Sequence, residues 1–205
     1  MSEIAALASA IFKKAGHKPR FVVAIAGPPG SGKSTLAERL VALFPDDSAA
    51  VVPMDGFHFD DRVLIAQGLR NRKGAPETFD YHGFEALIRR IRANETDIAI
   101  PVFDRSVELS RAGAAVIAQS TRFVIVEGNY LLLDEDPWKR LDGLFDLSIY
   151  LDVPKDELER RLRGRWDEHG KTPEEARAWI AGNDMPNIER VIARRRPADM
   201  VIATF

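Results

Sequence analysis

The sequence predicts an α/β fold in which a parallel sheet is covered by helices on both faces. Three observations carry that expectation. Short β-rich runs alternate with amphipathic segments along the chain, the pattern of strands joined by crossover helices. The run Phe21 to Ala26 is apolar at every position, as a strand buried on both faces should be. A glycine-rich stretch then leads directly from that run into an amphipathic one.

The elements follow in order. Ile4, Leu7, Ile11 and Phe12 fall at helical spacing with Ser2 as a cap, so residues 1–17 read as a packed helix. A signal peptide is excluded there, because Glu3 precedes the apolar stretch and Lys13 and Lys14 follow it. Phe21 to Ala26 is the first strand. Ser34 to Phe44 carries Leu36, Leu40 and Phe44 every four residues, a helix. Ala49 to Met54 is a second strand. Asp60 to Asp80, with Gly68, Gly74 and Pro76, reads mostly as loop. Phe84, Leu87, Ile88 and Ile91 mark another helix. Ile98 to Phe103, Phe123 to Glu127 and Phe145 to Leu151 read as strands. From Pro154 a helix carries Leu158, Leu162 and Trp166 on one face. Thr172-Pro-Glu-Glu175 is a capping box with Pro at the first helical position. Ala198 to Ala203 is the last strand. Two stretches are arginine-rich, Arg160 to Arg165 and Arg190 to Arg196, and both read as solvated helix faces unless an anion lies nearby.

Composition bounds the function. The 205 residues form one domain, 45% hydrophobic and 29% charged. Twenty-nine Lys and Arg against 31 Asp and Glu leave a net charge of −2, which argues against a dedicated nucleic-acid binder. The absence of Cys excludes disulfides, thiolate metal sites and thiol nucleophiles, and fits a reducing cytoplasm. No apolar run approaches the ~18 residues of a membrane span.

One motif sets the chemistry. Gly27-Pro28-Pro29-Gly30-Ser31-Gly32-Lys33-Ser34 matches G-x-x-x-x-G-K-[ST], followed by Thr35. Gly30 and Gly32 allow a tight turn whose N–H groups form a nest for phosphate oxygens, and the following helix dipole adds to it. Lys33 is expected to reach the β- and γ-phosphates and the Ser34 hydroxyl to ligate Mg²⁺. No Asn-Lys-x-Asp guanine-reading motif is present. Asp55, in Val-Pro-Met-Asp-Gly-Phe-His58, lies at the carboxyl end of the second strand, the edge where such sheets bind ligands. It could take the proton of an attacking hydroxyl or orient that hydroxyl; the plain alternative is a turn. Glu127 ends the run Phe123-Val-Ile-Val and could reach Mg²⁺ directly or through water, or else cap the turn at Gly128.

In order, GPPGSGKS, MDGFHF, RKGAPETFD, PVFDRS, VIVEGNYLL and an arginine-rich helix resemble the uridine kinase/pantothenate kinase/phosphoribulokinase group of P-loop kinases. They are closest to small bacterial members described as fructose-transport-associated or nucleoside-like kinases. The resemblance runs from Phe21 to Ala203. It implies a three-layer P-loop fold with a five-stranded parallel sheet of order 2-3-1-4-5, and ATP with Mg²⁺ as cofactors. It implies transfer of the γ-phosphate to a hydroxyl of a small molecule, with Asp55 as base and Glu127 near the metal. It also implies a lid, about residues 155–185, whose Arg161 and Arg165 close over the phosphates, with Arg160, Arg163 and Lys171 as neighbours. Where uridine kinases carry a Tyr and, five residues on, a His, this chain has Phe103 and Glu108. The acceptor stays open among a sugar, a nucleoside and a pantothenate-like molecule.

His58, Lys73, Asp80, Phe103 and Arg105 lie in the segments expected to surround that acceptor. Trp138 and Trp179 read as packing residues. No H-x-H or H-E-x-x-H pair occurs among His17, His58, His82 and His169, so zinc is not expected. The partner is a small molecule, not a nucleic acid or a membrane, and a homodimer is left open. The competing class is a regulatory nucleotide-binding ATPase with no acceptor; Asp55 and the lid favour the enzyme.

Overall fold

Every residue of the run Phe21–Ala26 is buried, and its side chains divide between two cores. Val22, Ala24 and Ala26 enter one; Phe21, Val23 and Ile25 enter the other. That alternation places this strand at the centre of a three-layer structure. The computed structural model describes residues 3–203. Its strands are β1 (Phe21–Ala26), β2 (Ala49–Pro53), β3 (Ile98–Asp104), β4 (Leu109–Ile117), β5 (Phe123–Gly128), β6 (Leu147–Leu151) and β7 (Met200–Ile202). The α-helices are α1 (Glu3–Ala15), α2 (Lys33–Val41), α3 (Asp61–Ala66), α4 (Tyr81–Arg92), α5 (Lys155–Glu168), α6 (Pro173–Trp179) and α7 (Met185–Arg194).

Five strands pair in parallel in the order β2-β5-β1-β6-β7. The expected label order was 2-3-1-4-5. The labels differ because an antiparallel hairpin, β3–β4, interrupts the count. Numbered among themselves, the sheet strands do run second, third, first, fourth, fifth.

One face of the sheet is closed by α1 and α2 through Ile4, Leu7, Ile11, Leu36 and Leu40. The opposite face is closed by α4, the hairpin and the segment after β5, through Phe84, Ile88, Ile98, Tyr130 and Trp138. Each large side chain so buried contributes about 1.5–3 kcal/mol. A third, smaller core joins α5 to the start of α7 through Val153, Leu158, Leu162, Ile180 and Ile188. This helical unit overlaps the segment 155–185 expected as a lid and runs on through α7 to Arg194.

Local chemistry sets the helix ends. The Asp60 and Asp80 side chains accept from Arg62 N (2.8 Å) and Gly83 N (2.9 Å) and so start α3 and α4. The capping box of Thr172 and Glu175 is formed as expected. Several readings are corrected. The expected Ile98 strand is formed, in an antiparallel hairpin outside the parallel sheet. Its partner β4 was not foreseen, because most of its residues are exposed and lack strict alternation. The stretch read as loop contains α3 and two short 3₁₀ turns. The second arginine stretch is not simply solvated: Arg190 pairs with Glu135 and Glu77, Arg195 stacks 4.1 Å from the Tyr150 ring, and Arg196 donates to the Lys139 carbonyl. The expected Ser2 cap lies outside the described residues. Among those described, no helix is long and apolar enough to cross a membrane.

Candidate active site

The loop from Gly27 to Ser34 joins the end of β1 to the first turn of α2. Gly30 and Gly32 adopt φ of 81° and 90°, a left-handed region where a side chain would be strained. Gly32 is the residue that precedes α2, so the unpaired amides of that helix start face the loop interior. Gly27 is needed for space: a methyl carbon there would lie 2.7 Å from Ser31 Oγ and 3.1 Å from the Leu151 carbonyl oxygen. The Lys33 side chain folds back into its own loop, donating to the Pro28 carbonyl at 2.9 Å and lying 3.4 Å from Ser31 Oγ. Burial pushes its ammonium down to about 8, against the opposing pull of Glu127 and Asp55.

A chamber of about 310 Å³ opens over the loop, walled by Pro29, Gly30, Gly32, Lys33, Ser34, Thr35 and Glu127. Pro53 and Glu127 are partners in the β2–β5 ladder. The chain leaving β2 therefore starts beside Glu127, and Asp55 follows in a short 3₁₀ turn. Gly128 permits that turn to approach, since a methyl carbon on it would sit 2.5 Å from Met54 Cβ. Glu127 is buried and pushed up to about 7, first by burial and then by the Asp55 charge, while the Ser34 hydroxyl bonds to it. A hydroxyl beside a buried carboxylate is a hard oxygen donor set. It fits Mg²⁺, which needs only one or two protein oxygens beside phosphate and water. Among the described residues no group of three or more His, Asp or Glu side chains is placed to cage a metal by itself.

Asp55 behaves differently. Burial alone would raise it, but His58, Arg105, Lys33 and Arg165 together hold it below the usual aspartate value. Arg105 Nη2 donates to Asp55 Oδ2 at 2.5 Å. Arg105, expected to touch the acceptor directly, thus also grips the expected base. It comes from the end of the β3–β4 hairpin, which crosses close over the Asp55 turn. A methyl carbon on Gly56 would overlap the Pro101 carbonyl oxygen and lie 2.7 Å from its carbon.

A second, larger cavity of about 450 Å³ adjoins the first. Pro29, Asp55, Arg105, Asn129 and Arg165 line both. His58, Lys73 and Phe103 line only the larger one, as expected of acceptor residues. The His58 ring is 4.0 Å from Phe79 and 4.8 Å from Phe103, and its Nδ1 meets the Asp55 carbonyl at 2.8 Å. Burial holds its imidazole below the ordinary value, with Asp55 opposing. Lys73 is tied to Asp61 at 2.7 Å and to the Glu108 carbonyl at 2.8 Å. Asp80 is the exception: it caps α4 and does not line the cavity.

The arginine-rich helix divides by face. Arg160 and Arg163 pair with Glu157 and Glu159 on the exposed side. Arg161 pairs with Glu157 and points its Nη1 at the Ser31 carbonyl, 3.3 Å away. Arg165 lines both cavities. The helix rests on the phosphate loop, because a methyl carbon on Gly30 would meet Leu162 Cγ at 3.3 Å and the Leu158 carbonyl oxygen at 3.4 Å.

Sequence reasoning missed Asn129, Arg70, Ser106, Trp166, Asp184 and Asn187 as cavity residues and assigned Trp179 to packing, although Trp179 lines the cavity. Asn129 could have been found, since it follows Glu127-Gly128 at a ligand-binding strand end. Trp179, Asp184 and Asn187 carry no motif; the end of α6, the π-helical turn Ile180–Asp184 and α7 deliver them in that order. Trp138 is a core residue as expected.

Comparisons agree with this geometry. The profile of the Phosphoribulokinase / Uridine kinase family matches residues 22–205. The chain is 32% identical over 197 residues to a protein named "Putative uridine kinase C227.14" from Schizosaccharomyces pombe, covering 91% of this chain and 84% of the relative. It is 33% identical over 144 residues to pantothenate kinase from Streptococcus pneumoniae, covering 68% of this chain and 47% of that one. A crystal structure titled as a "putative fructose transport system kinase" from Silicibacter sp. TM1040 superposes with a TM-score of 0.92. It is 42% identical, covering 98% of this chain and 100% of the other.

Proposed function

The chain belongs to the phosphoribulokinase/uridine kinase family of P-loop small-molecule kinases, and we propose that it transfers the γ-phosphate of ATP, with Mg²⁺, to a hydroxyl of a small acceptor held in the larger cavity. One observation carries the reading: the ionised Asp55 stands at the opening between the phosphate chamber and a cavity of small-molecule size.

In this reading the loop amides and Lys33 hold the phosphates. Lys33 exchanges its Pro28 contact for phosphate oxygens, a stronger charge-assisted bond. Ser34 and Glu127 would hold Mg²⁺, which when bound neutralises charge on the transferring group. Arg105 occupies Asp55 Oδ2, leaving Oδ1 without a hydrogen bond among the described residues and open to an acceptor hydroxyl. Held well below neutrality, Asp55 is a weak base. It orients the hydroxyl and takes its proton once the oxygen–phosphorus bond is forming, as suits a loose transition state. Arg165, reaching both cavities, stabilises charge on the phosphoryl group in flight. The α5–α7 unit acts as the lid, and the chain works in the cytoplasm.

The test is an acceptor panel read out as ADP formation. Acceptor-dependent turnover that requires Lys33 and Mg²⁺ supports transfer. Slow ATP hydrolysis indifferent to every hydroxyl compound would instead mark a nucleotide switch.

A further inference from the structure

The larger cavity holds more positive charge than its own carboxylates neutralise. Arg70, Lys73, Arg105, Arg165 and Lys171 line it against Asp55, Glu108 and Asp184. Three of the five cations have carboxylate partners: Arg105 pairs with Asp55, and Arg70 and Lys73 with Asp61. Arg165 and Lys171 have none within ion-pair distance among the described residues. They lie over aromatic rings instead. Arg165 Cζ is 5.6 Å from the Trp166 ring centre, and Lys171 Nζ is 5.2 Å from Trp166 and 5.3 Å from Trp179.

Asp55 and Glu108 also act on Arg165, and Glu175 on Lys171, but Asp184 is the acid that acts on both cations. Asp184 is buried, and its Oδ2 accepts from Trp166 Nε1 at 2.7 Å. Burial pushes its carboxyl up to about 6 despite the attraction of Arg165 and Lys171. The two cations are separable by position. Arg165 also lines the phosphate chamber, whereas Lys171 does not. Lys171 is half-buried over the two indoles and meets no carboxylate at ion-pair distance among the described residues. A negative group in the cavity would give it a charge-assisted partner.

Building on the kinase reading above, we propose that the acceptor is a hydroxy compound that also carries an anionic group, a carboxylate or a phosphate, and that Lys171 reads that group while Asp55 holds the hydroxyl. A cavity of about 450 Å³ suits such a small acid. Lys171 is then a specificity residue rather than part of the transfer machinery.

Matched pairs test this: D-glycerate with glycerol, pantothenate with pantothenol, fructose 6-phosphate with fructose, and uridine monophosphate with uridine. Each is assayed with wild type, Lys171→Ala and Lys171→Arg, by ADP formation and by calorimetric binding beside a non-hydrolysable ATP analogue. The acidic member of at least one pair is expected to outperform its neutral partner. Lys171→Ala should then raise the KM or Kd for that acid by ~10–100-fold, as loss of a charge-assisted contact does, leaving KM for ATP unchanged, and Lys171→Arg should retain most of the effect. The carboxylate and phosphate pairs show which anion is read. Preference for neutral members with normal turnover overturns the anion assignment while leaving the kinase reading intact. Binding of an acid that depends on Lys171, with no ADP formed, upholds the anion site and removes the transfer reading. The proposal also falls if no acid binds, if Lys171→Ala leaves the acids unaffected, or if it changes KM for ATP instead.

Discussion

Gly56→Ala should separate acceptor chemistry from nucleotide binding by a purely steric route. A methyl carbon at this position meets the Pro101 carbonyl, whose carbon would be 2.7 Å away, and Val102 N, 3.2 Å away. Neither neighbour is the end of a flexible side chain. Both are backbone of β3, so the hairpin and the Asp55 turn must part by about 1 Å to restore ordinary contact. Overpacking of this kind costs about 1–3 kcal/mol, and in a chain of this length each kcal/mol lowers Tm by about 2–4 °C. The kinetic cost is larger. Asp55 adjoins Gly56 on one side of the contact, and Phe103 and Arg105 ride on the other, all three lining the acceptor cavity. A misplacement of about 1 Å lowers rate by about 10². The phosphate loop lies on a different connection and should be undisturbed. The expected result is kcat reduced about 100-fold on the true acceptor, a lowered but cooperative melt, and ATP affinity within about twofold by calorimetry. A Gly56→Ala enzyme with wild-type kcat would refute the claim that hairpin placement sets Asp55. A loss of ATP binding equal to the loss of rate would refute the separation of the two halves.

Three further outcomes are expected. Asp55→Asn should lose about 10²–10⁴ in kcat with ATP binding kept, whereas Glu127→Gln should raise the Mg²⁺ concentration giving half-maximal rate; a magnesium titration of both variants tells the roles apart. Arg165→Ala should lower kcat by orders of magnitude with a small change in ATP affinity, as for an arginine acting on the transition state; steady-state kinetics with wild-type kcat would return Arg165 to a structural role. Asp184 gives a pH signature. Its folded carboxyl sits near 6 against an ordinary value of 3.8, so the folded chain holds this proton more tightly than the unfolded one. That contribution is full below about pH 4 and is lost as pH rises through about 6, amounting to at most about 3 kcal/mol. Asp184→Asn should therefore melt higher than wild type at pH 8 and not at pH 4, and a constant difference in Tm across that range would exclude the buried carboxyl as its cause.

The nucleotide half of the molecule was legible in the sequence and the acceptor half only in part. His58, Lys73, Phe103 and Arg105 line the larger cavity as expected, whereas Asn129, Trp179 and Asp184 were not foreseen there. The reason is physical. Phosphate binding uses backbone amides and one lysine, so it demands glycines at fixed spacing between a buried strand and a helix, a pattern that cannot be spread out. Glu127 and Asp55 were legible because strand ends at the carboxyl edge of a parallel sheet necessarily converge. The acceptor wall is assembled from separate segments: Lys73 from a loop, Phe103 and Arg105 from the hairpin, Trp179 and Asp184 from helices far along the chain. No local rule links their spacings. Asp80 was misplaced for the same reason, since an Asp before a helix is equally good as a cap. The hairpin partner β4 went unseen because a strand exposed on most of its length has no reason to alternate.

The hairpin that crosses over Gly56 stands outside the five-stranded sheet, pairing only with itself in β3–β4. Its base is fixed in the core by Ile98, Ile100 and Ile117, but its exposed tip can drift without disturbing the ladder that positions the phosphate loop and Glu127. A fold arranged this way is evolvable in a particular sense. The energy-donating half is held constant by the geometry of phosphate, while Phe103, Arg105, Ser106 and Glu108 sit on an appendage free to be lengthened, shortened or rewritten. Diversification of what is phosphorylated can proceed as loop evolution, at little cost to the stability of the sheet.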